Sequence, residues 1–258
     1  ELAIDNILVR IPLADFDNIE KYIRFITNLQ GKDVLVCILQ DREHIEEKYL
    51  TNQRLDYIFS NLCNQVKTFQ IGNSINRKKW AFVSIDEYFA FFKTAYDLKK
   101  NKFPKIKLLG SNIIDFDLPF FARSIFHLKS IFYDGIATQL YVDRRGGPEE
   151  KQLGFNLASK IKAYAALASA SRNTSNELYI TEVNWPLQGM GEWSPSKEYL
   201  IEESFQSRYM VRYYLLMLAS GKVKKCYWHQ LVAPGYGLVN NLNGLIEKRD
   251  AYFCFKHL

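Results

Sequence analysis

Short apolar runs alternate with longer amphipathic stretches along almost the whole chain. The runs, rich in Val, Ile, Leu, Phe and Tyr, are NILVRIPL, DVLVCILQ, VKTFQIGN, KIKLLGSN, YDGIATQLYV, ELYITEVNW and KKCYWHQLV. Most precede a stretch with apolar residues at three- and four-residue steps: DFDNIEKYIRFITNLQ, SIDEYFAFFKTAYDLKK, GFNLASKIKAYAALASA and EESFQSRYMVRYYLLMLASG. Strand-like runs followed by helical periodicity predict a repeated βα unit.

Polar residues and glycines mark the predicted ends of these helices. Side chains that can accept a hydrogen bond from the first helical turn predict N-terminal caps at Asp15 or Asp17, and at Ser84, which a glutamate follows three residues later. Glycine ends helices because it adopts left-handed backbone angles without strain, so we expect helix ends at Gly31 and Gly221.

The spacing of the strand-like runs predicts a (β/α)8 barrel, an α/β fold. The runs begin roughly 25 to 45 residues apart in a chain of 258 residues, and about 250 residues make eight βα units. No linker or low-complexity tract interrupts the series, so we expect a single domain over residues 1–258. Seven runs are one fewer than a barrel needs, and the first strand is expected to precede Glu1 or to come from a segment absent from the sequence.

A doubly wound open sheet is the competing fold. That fold should carry a Gly-rich phosphate turn with GxGxxG spacing after an early strand. The paired glycines of RRGGPEE come late and lack this spacing. The pattern therefore favours the barrel.

Composition adds a sizeable core and a basic surface. Hydrophobic residues make up 48% of the chain, and aromatic residues, which serve cores and carbohydrate-binding clefts alike, make up 15%. The formal net charge is +6, but the lysines fall in scattered pairs that are typical of solvated surface. An anionic cell-surface glycan is one candidate partner, and a nucleic acid is a weaker one.

Cysteine usage and hydropathy bear on the compartment. The four cysteines are isolated and predict reduced, buried thiols of a cytoplasmic protein. No apolar stretch approaches the roughly 18 residues of a membrane span, and no signal peptide is present. Because the chain begins at Glu1 and an N-terminal segment is expected to be missing, secretion stays open as an alternative.

Polar side chains stand at the carboxyl ends of the predicted strands, the face on which a barrel builds its active site. Carboxylates, amides and an arginine hydrogen-bond hydroxyl groups, and tryptophan offers a flat face to a pyranose ring. These residue types predict a carbohydrate site. The predicted substrate-binding residues are Arg10, Asn73, Tyr141, Asp143, Trp228 and Gln230.

The order of strand-end motifs resembles the clan A glycoside hydrolases, which are retaining enzymes on (β/α)8 barrels. FQIGNSIN resembles the fourth-strand motif written GNE, and YITEVNWP resembles the seventh-strand TE motif. CYWHQL resembles the eighth strand with its tryptophan floor, and GYGLVNNLNGLIEKRDAYFCFKHL is similar to the closing segment of the family. The similar motifs cover about the second to the eighth units.

The resemblance implies roles for individual residues. Glu182 is implied to be the nucleophile, which attacks the anomeric carbon while a second carboxyl about 5 to 5.5 Å away protonates the leaving oxygen. Asn73 is implied to bind a sugar hydroxyl, Arg10 to orient the nucleophile, Tyr141 to hydrogen-bond it, and Trp228 to form the sugar platform. The alternative for each is structural: an ion pair for Glu182 and Arg10, a turn residue for Asn73, and core packing for Tyr141 and Trp228.

Ser74 stands where the family has its acid/base glutamate, and a serine hydroxyl with no base beside it does not protonate a departing alkoxide. Three explanations are open: an engineered variant, a substitute carboxyl, or natural divergence to a non-hydrolytic relative, which we favour slightly. The candidate substitutes are Asp143, Glu149 and Glu192.

Two functions follow from these observations. The first is a retaining glycoside hydrolase-like enzyme that acts on a bacterial-type glycan with Glu182 as nucleophile and a degenerate acid/base position. The second is a carbohydrate-binding pseudoenzyme or partner subunit that keeps the cleft without hydrolysis. The sequence contains no HExxH, GxSxG or P-loop motif and no His/Cys ligand spacing, so we expect no metal, no cofactor and no nucleic-acid partner.

Overall fold

A computed structural model describes residues 2–142 and 146–258, with the side chain of Asn243 excepted. The chain forms two compact units. The N-terminal unit comprises Ile4–Thr138 and Leu167–Glu177. The C-terminal unit comprises Glu1–Ala3, Gln139–Ala166 and Leu178–Leu258.

Seven strands follow one another in chain order in a single sheet. Each of the seven predicted apolar runs overlaps one of these strands, so the strand prediction is confirmed. Two short strands, β8 and β9, form a separate antiparallel pair. The strands are β1 (Asn6–Pro12), β2 (Asp33–Leu39), β3 (Thr68–Ile71), β4 (Lys107–Ile114), β5 (Gly135–Gln139), β6 (Leu178–Val183), β7 (Val223–Trp228), β8 (Val239–Asn240) and β9 (Glu247–Lys248).

Helices follow most of the strands, as the βα pattern predicts. None of the helices in the described residues is long and apolar enough to cross a membrane. The helices are α1 (Ile19–Thr27), α2 (Arg42–Glu46), α3 (Lys48–Leu62), α4 (Ile85–Asn101), α5 (Leu118–Ile125), α6 (Leu157–Ala170), α7 (Glu203–Ser220) and α8 (Asp250–Lys256).

The predicted helix ends are correct for two helices and wrong for one. Ser84 caps α4, and Gly221 ends α7 with a positive φ of 60°. The prediction for α1 is wrong at both ends. Its N-cap is Asn18, because Asp15 instead accepts hydrogen bonds from the side chains of Asn18 and Tyr22 within a preceding 3₁₀ turn. The helix ends at Thr27, so Gly31 lies in the following turn.

The N-terminal unit is built on parallel pairing of β1, β2, β3 and β4. Aromatic rings from α3 and α4 pack within this unit, with Phe59 against Phe69 of β3 at 4.8 Å between ring centroids and Phe92 against Tyr133, just before β5, at 4.7 Å. Gly110 in β4 permits this packing, since a Cβ there would lie 2.0 Å from the Tyr133 ring. Cys37 in β2 is buried, whereas the other three cysteines are partly exposed, so the prediction of buried thiols holds only for Cys37.

The C-terminal unit is built on the parallel pair β6 and β7, backed by α7. Every residue of β6 is buried, while β7 is mostly half-exposed. Trp185, directly after β6, is fully buried and packs edge-on against Tyr213 of α7 at 5.8 Å between ring centroids. Its Nε1 donates to the carbonyl of Gly146 over 2.9 Å. These contacts fix the segment that leaves the carboxyl end of β6.

Candidate active site

Glu182 lies at the carboxyl end of β6 in a buried position. Among residues 2–142 and 146–258, it is the only carboxylate that is buried, with 9% of its surface exposed. The hydroxyl of Tyr141, also buried, donates a hydrogen bond to Glu182 Oε1. An ionised carboxylate in such a position is stabilised by a donor of this kind, so the pair is suited to hold a negative charge.

The strand ends next to Glu182 are tied together by hydrogen bonds. Val183 is paired with Trp228 across β6 and β7, and the amide of His229 donates to the Val183 carbonyl over 3.1 Å. The side-chain amide of Asn184 donates to the carbonyl of His229. These contacts hold His229, which follows Trp228, against Val183 and Asn184, which follow Glu182.

Trp228 is half-buried and stacks on Trp185, with 6.0 Å between ring centroids and 25° between the planes. Trp185 is fully buried, so only Trp228 of this pair has exposed surface. A partly exposed indole held in a fixed orientation can serve as a platform for a sugar ring.

A cavity of about 460 Å³ opens beside Gln230, two residues after Trp228. This volume lies within the range of about 300–1,000 Å³ that is typical of small-molecule sites. Gln230 is the one predicted site residue that lines it. The full lining is Trp193, Gln230, Val232, Ala233, Pro234, Tyr236, Asn241 and Leu242.

The predicted fourth-strand motif of the family falls after β3 in the N-terminal unit and forms a buried amide cluster. Gln40 exchanges two hydrogen bonds of 2.9 Å with the backbone of Asn73, and Gln70 donates to the carbonyl of Gly72 over 3.1 Å. Asn73 is 1% exposed and Ser74 is fully buried. Gly72 and Ser74 both have positive φ, at 83° and 47°, so the chain turns sharply as it leaves the strand.

The predicted site residues are divided between the two compact units. Arg10 is half-buried in β1, opposite Cys37 of β2. Arg10, Asn73 and Ser74 belong to the N-terminal unit, and Tyr141, Glu182, Trp228 and Gln230 belong to the C-terminal unit. Asp143 lies outside the described residues. The structure brings together Tyr141 with Glu182, and Asn73 with Ser74 through a 3.4 Å contact from the Asn73 amide to the Ser74 hydroxyl.

Glu149 and Glu192 are the two predicted substitute carboxyls that the structure describes. Glu149 is exposed and forms a bidentate ion pair with Arg212 of α7. Hydrogen bonds from Arg212 hold the pKa of Glu149 below its usual range, which makes this carboxyl a poor proton donor at neutral pH. Glu192 is exposed, in the short 3₁₀ turn that carries Trp193.

One group in the N-terminal unit has metal-binding residue types. Ligand atoms of Asp41, Glu43 and His44 lie within 4.8 Å of one another. Asp41, however, caps α2 by accepting from the His44 amide over 3.0 Å, and its second oxygen bonds His44 Nδ1 over 2.6 Å. Helix capping therefore accounts for this arrangement.

Comparison with known proteins finds similar structures but no similar sequence. No protein-family model and no curated protein matches the chain. A glucosidase from Croceicoccus marinus aligns at 14% identity and a TM-score of 0.60, over 83% of this chain and 45% of that one. A β-glucosidase from Thermotoga maritima in complex with deoxynojirimycin aligns at 12% identity and a TM-score of 0.68, over 97% of this chain and 82% of that one. A family 1 β-glucosidase from the same organism gives 10% identity, a TM-score of 0.65 and the same two coverages.

The seven-stranded sheet with its helices is an α/β fold that matches the (β/α)8 barrels of these neighbours, and the described residues place no eighth strand in that sheet. At identities this low the similarity concerns the fold, and the chain spans less than half of the Croceicoccus enzyme. With this fold, the carboxyl ends of β6 and β7 are the face on which functional residues are expected. Glu182, Trp228 and Gln230 occupy these ends.

Sequence reasoning missed several residues around this face. Trp193 was a weaker candidate for a further subsite, whereas Tyr236 was not predicted, and Asn184 was not predicted to hold the peptide after Trp228. Asn184 carried a usable signal, because it is a polar amide only two residues after Glu182 in the sequence. Trp193 and Tyr236 lie on loops, whose convergence no local pattern reports.

Proposed function

We propose that the protein is a retaining glycoside hydrolase-like enzyme that acts on a glycan, with Glu182 as its nucleophile and a degenerate acid/base position at Ser74. The observation that carries this proposal is the buried Glu182 carboxylate at the end of β6, which accepts the hydroxyl hydrogen bond of Tyr141. The glucosidase names of the structural neighbours are consistent with it.

The chemistry assigned to Glu182 is displacement at an anomeric carbon. A carboxylate oxygen forms the bond to that carbon, and the leaving oxygen departs with the electron pair of the glycosidic bond. Water then attacks the same carbon and releases the carboxylate. The Tyr141 hydroxyl donates to Oε1 of Glu182 and so holds the attacking carboxylate in one orientation.

The absence of a carboxyl at position 74 predicts which substrates react. Loss of a general acid typically removes about 10²- to 10⁴-fold of rate when the leaving group needs a proton. A nitrophenolate leaves without one, so the first step on an activated aryl glycoside is expected to proceed. The second step lacks a base to activate water, so an anionic nucleophile that needs no base should accelerate it.

The experiment measures release of dinitrophenol from a panel of dinitrophenyl glycosides, with and without sodium azide. We expect turnover that azide increases, formation of a glycosyl azide, and loss of both in Glu182→Gln. Glu150→Gln is the matched control, since Glu150 is an exposed carboxylate of the same unit. Turnover that persists in Glu182→Gln contradicts the proposed nucleophile.

The second candidate function is a carbohydrate-binding protein without hydrolysis. Two features of Ser74 favour it. Serine is not a proton source of the kind that the resembling family has at this position, and the side chain of Ser74 is fully buried. Intact-protein mass spectrometry separates the two functions. A covalent glycosyl adduct on the wild type but not on Glu182→Gln supports the enzyme, whereas saturable glycan binding without an adduct or turnover supports the binding protein.

A further inference from the structure

We propose that the cavity beside Gln230 is a subsite for a neutral pyranose that carries a methyl-bearing substituent, such as a 6-deoxy or an acetamido group. This inference rests on the proposed function, since it specifies the sugar for the same carboxyl face of the C-terminal unit.

The lining combines aromatic, aliphatic and amide groups. Trp193, which is 54% exposed, supplies a ring face for the C–H face of a sugar, and Tyr236, whose ring stacks on His229 at 5.5 Å between centroids, adds aromatic lining. Gln230 and Asn241 supply amides, which can both donate to and accept from hydroxyl or acetamido groups. Aromatic and amide groups together suit a ligand that has hydroxyl groups around its edge and an apolar C–H face.

The aliphatic share of the lining is larger than a plain hexose needs. Val232, Ala233, Pro234 and Leu242 all face the cavity. Hydroxyl groups placed against such side chains would lose water without gaining partners, at a cost in free energy. A methyl group gains from the same contact, so the lining favours a sugar in which one hydroxyl is replaced by a methyl-bearing substituent.

Charge complementarity argues against a uronic acid. No charged side chain is present among the described residues that line the cavity. The neighbouring cation, Arg249, is 6% exposed and is already engaged by Glu203 and by the carbonyl of Pro234. A ligand carboxylate would therefore enter without a counter-ion, which is unfavourable in a partly desolvated site.

The walls are held in place without a ligand. Gln206 of α7, fully buried, donates to the carbonyl of Trp185 over 2.8 Å and to that of Tyr236 over 3.2 Å. The amide of Leu187 donates to the Gly235 carbonyl over 2.8 Å. A Cβ at Gly235 would lie 2.1 Å from the backbone oxygen of Trp193, so glycine lets the two loops touch. A preformed wall lowers the ordering cost of binding.

Saturation-transfer difference NMR with four free sugars tests the proposal. The probes are L-rhamnose and N-acetyl-D-glucosamine, which carry a methyl group on different substituents, and D-glucose and D-glucuronate, which carry none. We expect the strongest transfer at the methyl protons of one or both methyl-bearing sugars, with about tenfold or greater preference over glucose and no saturable binding of glucuronate. Binding of L-rhamnose indicates a 6-deoxy group, and binding of N-acetyl-D-glucosamine indicates an acetamido group.

Variants locate the signal. Trp193→Ala and Gly235→Ala should abolish the methyl transfer. Tyr199→Ala should keep it, because Tyr199 is an exposed aromatic residue of the same segment that does not line the cavity. The proposal is overturned if glucuronate binds as well as the methyl-bearing sugars, or if neither methyl-bearing sugar binds. It is also overturned if methyl transfer survives in Trp193→Ala.

The result is separable from the outcome for Glu182. Binding is measured without turnover and is repeated in Glu182→Gln, in which we expect the methyl transfer to persist. Loss of the subsite with Glu182-dependent turnover intact refutes the subsite alone. Methyl transfer without any Glu182-dependent turnover refutes the nucleophile alone.

Discussion

A buried carboxylate is costly to keep ionised unless donors compensate for the water that it loses. In Glu182 the compensation includes the Tyr141 hydroxyl, which approaches from the segment after β5. An apolar residue at this position of β6 would need no hydrogen-bond donor. The role proposed for Glu182 therefore depends on the hydrogen bond from Tyr141.

Replacing Tyr141 by phenylalanine tests this pair. The ring stays, so packing is conserved, but a hydrogen bond to a charged group is lost, which is worth about 1.5–3 kcal/mol. On a dinitrophenyl glycoside we expect kcat to fall by about 10- to 100-fold while KM changes little. Tyr252→Phe on α8 is the control, since it removes the hydroxyl of another buried tyrosine. An unchanged kcat in Tyr141→Phe would contradict a catalytic role for the hydrogen bond.

Ser74 is constrained by its backbone. Its φ of 47° lies in the left-handed region, which β-branched residues adopt only with strain, and its side chain has no exposed surface. We expect Ser74→Val to lower the free energy of unfolding by about 1–3 kcal/mol, and Ser74→Gly to change it little. Urea unfolding of both, with Ser74→Ala to isolate the loss of the hydroxyl, measures the difference. Equal stability of the valine and glycine variants would refute backbone strain.

At the scale of elements, the strands were predictable because each is a short apolar run bounded by polar or turn residues. The ends of α4 and α7 were predictable because Ser84 and Gly221 act locally. The start of α1 was not, since Asp15 is diverted to Asn18 and Tyr22. The cavity walls were not predictable either, because they depend on contacts between distant loops, such as Leu187 with Gly235.

The N terminus of α4 has a pH-dependent support. Arg42 of α2 donates two hydrogen bonds to Glu87 in the first turn of α4, and these bonds lower the pKa of Glu87 to about 2. Because this folded-state pKa lies below the usual value of 4.5, the stabilisation is complete above about pH 4.5 and is lost as the pH falls toward 2. Arg42 is 41% exposed, so solvent screening keeps the contribution of this ion pair small.

Glu87→Gln should therefore lower the free energy of unfolding at pH 7 by about 1 kcal/mol. The difference from wild type should shrink as the pH falls toward 2, because protonation removes the same charge from the wild type. Urea midpoints at pH 7, 4 and 2.5 measure this. Glu46→Gln is the comparison, as Glu46 pairs with the same arginine from within α2. A difference that is independent of pH would show that the ion pair is not its cause.

The whole chain carries a formal net charge of +6, and part of its positive charge lies in ion pairs of the N-terminal unit. Several of its lysines pair with carboxylates at separate places: Lys93 with Asp97, Lys99 with Asp134, Lys102 with Asp56, Lys107 with Glu177, and Lys129 with Asp86. Non-specific DNA binding needs lysines and arginines that contact successive phosphates.

We therefore expect no saturable binding of a 20-base-pair duplex below about 100 μM protein in 150 mM salt, measured by fluorescence anisotropy. The same titration at 20 mM salt controls for weak electrostatic attraction, which should disappear when salt is added. Micromolar binding that persists at 150 mM salt would revive a nucleic-acid partner and contradict the carbohydrate interpretation of the basic composition.

The single-domain prediction is tested by the cooperativity of unfolding. The chain passes between the two compact units within α6, whose first ten residues belong to the C-terminal unit and whose remainder belongs to the N-terminal unit. Helix formation is cooperative, so melting of one part of α6 destabilises the other.

Trp80 is the only tryptophan of the N-terminal unit, and Trp80→Phe leaves indole fluorescence to the C-terminal unit alone. We expect the fluorescence midpoint of this variant in urea to coincide with its far-UV circular dichroism midpoint, as two-state unfolding requires. Midpoints that separate would show two domains, each with its own stability.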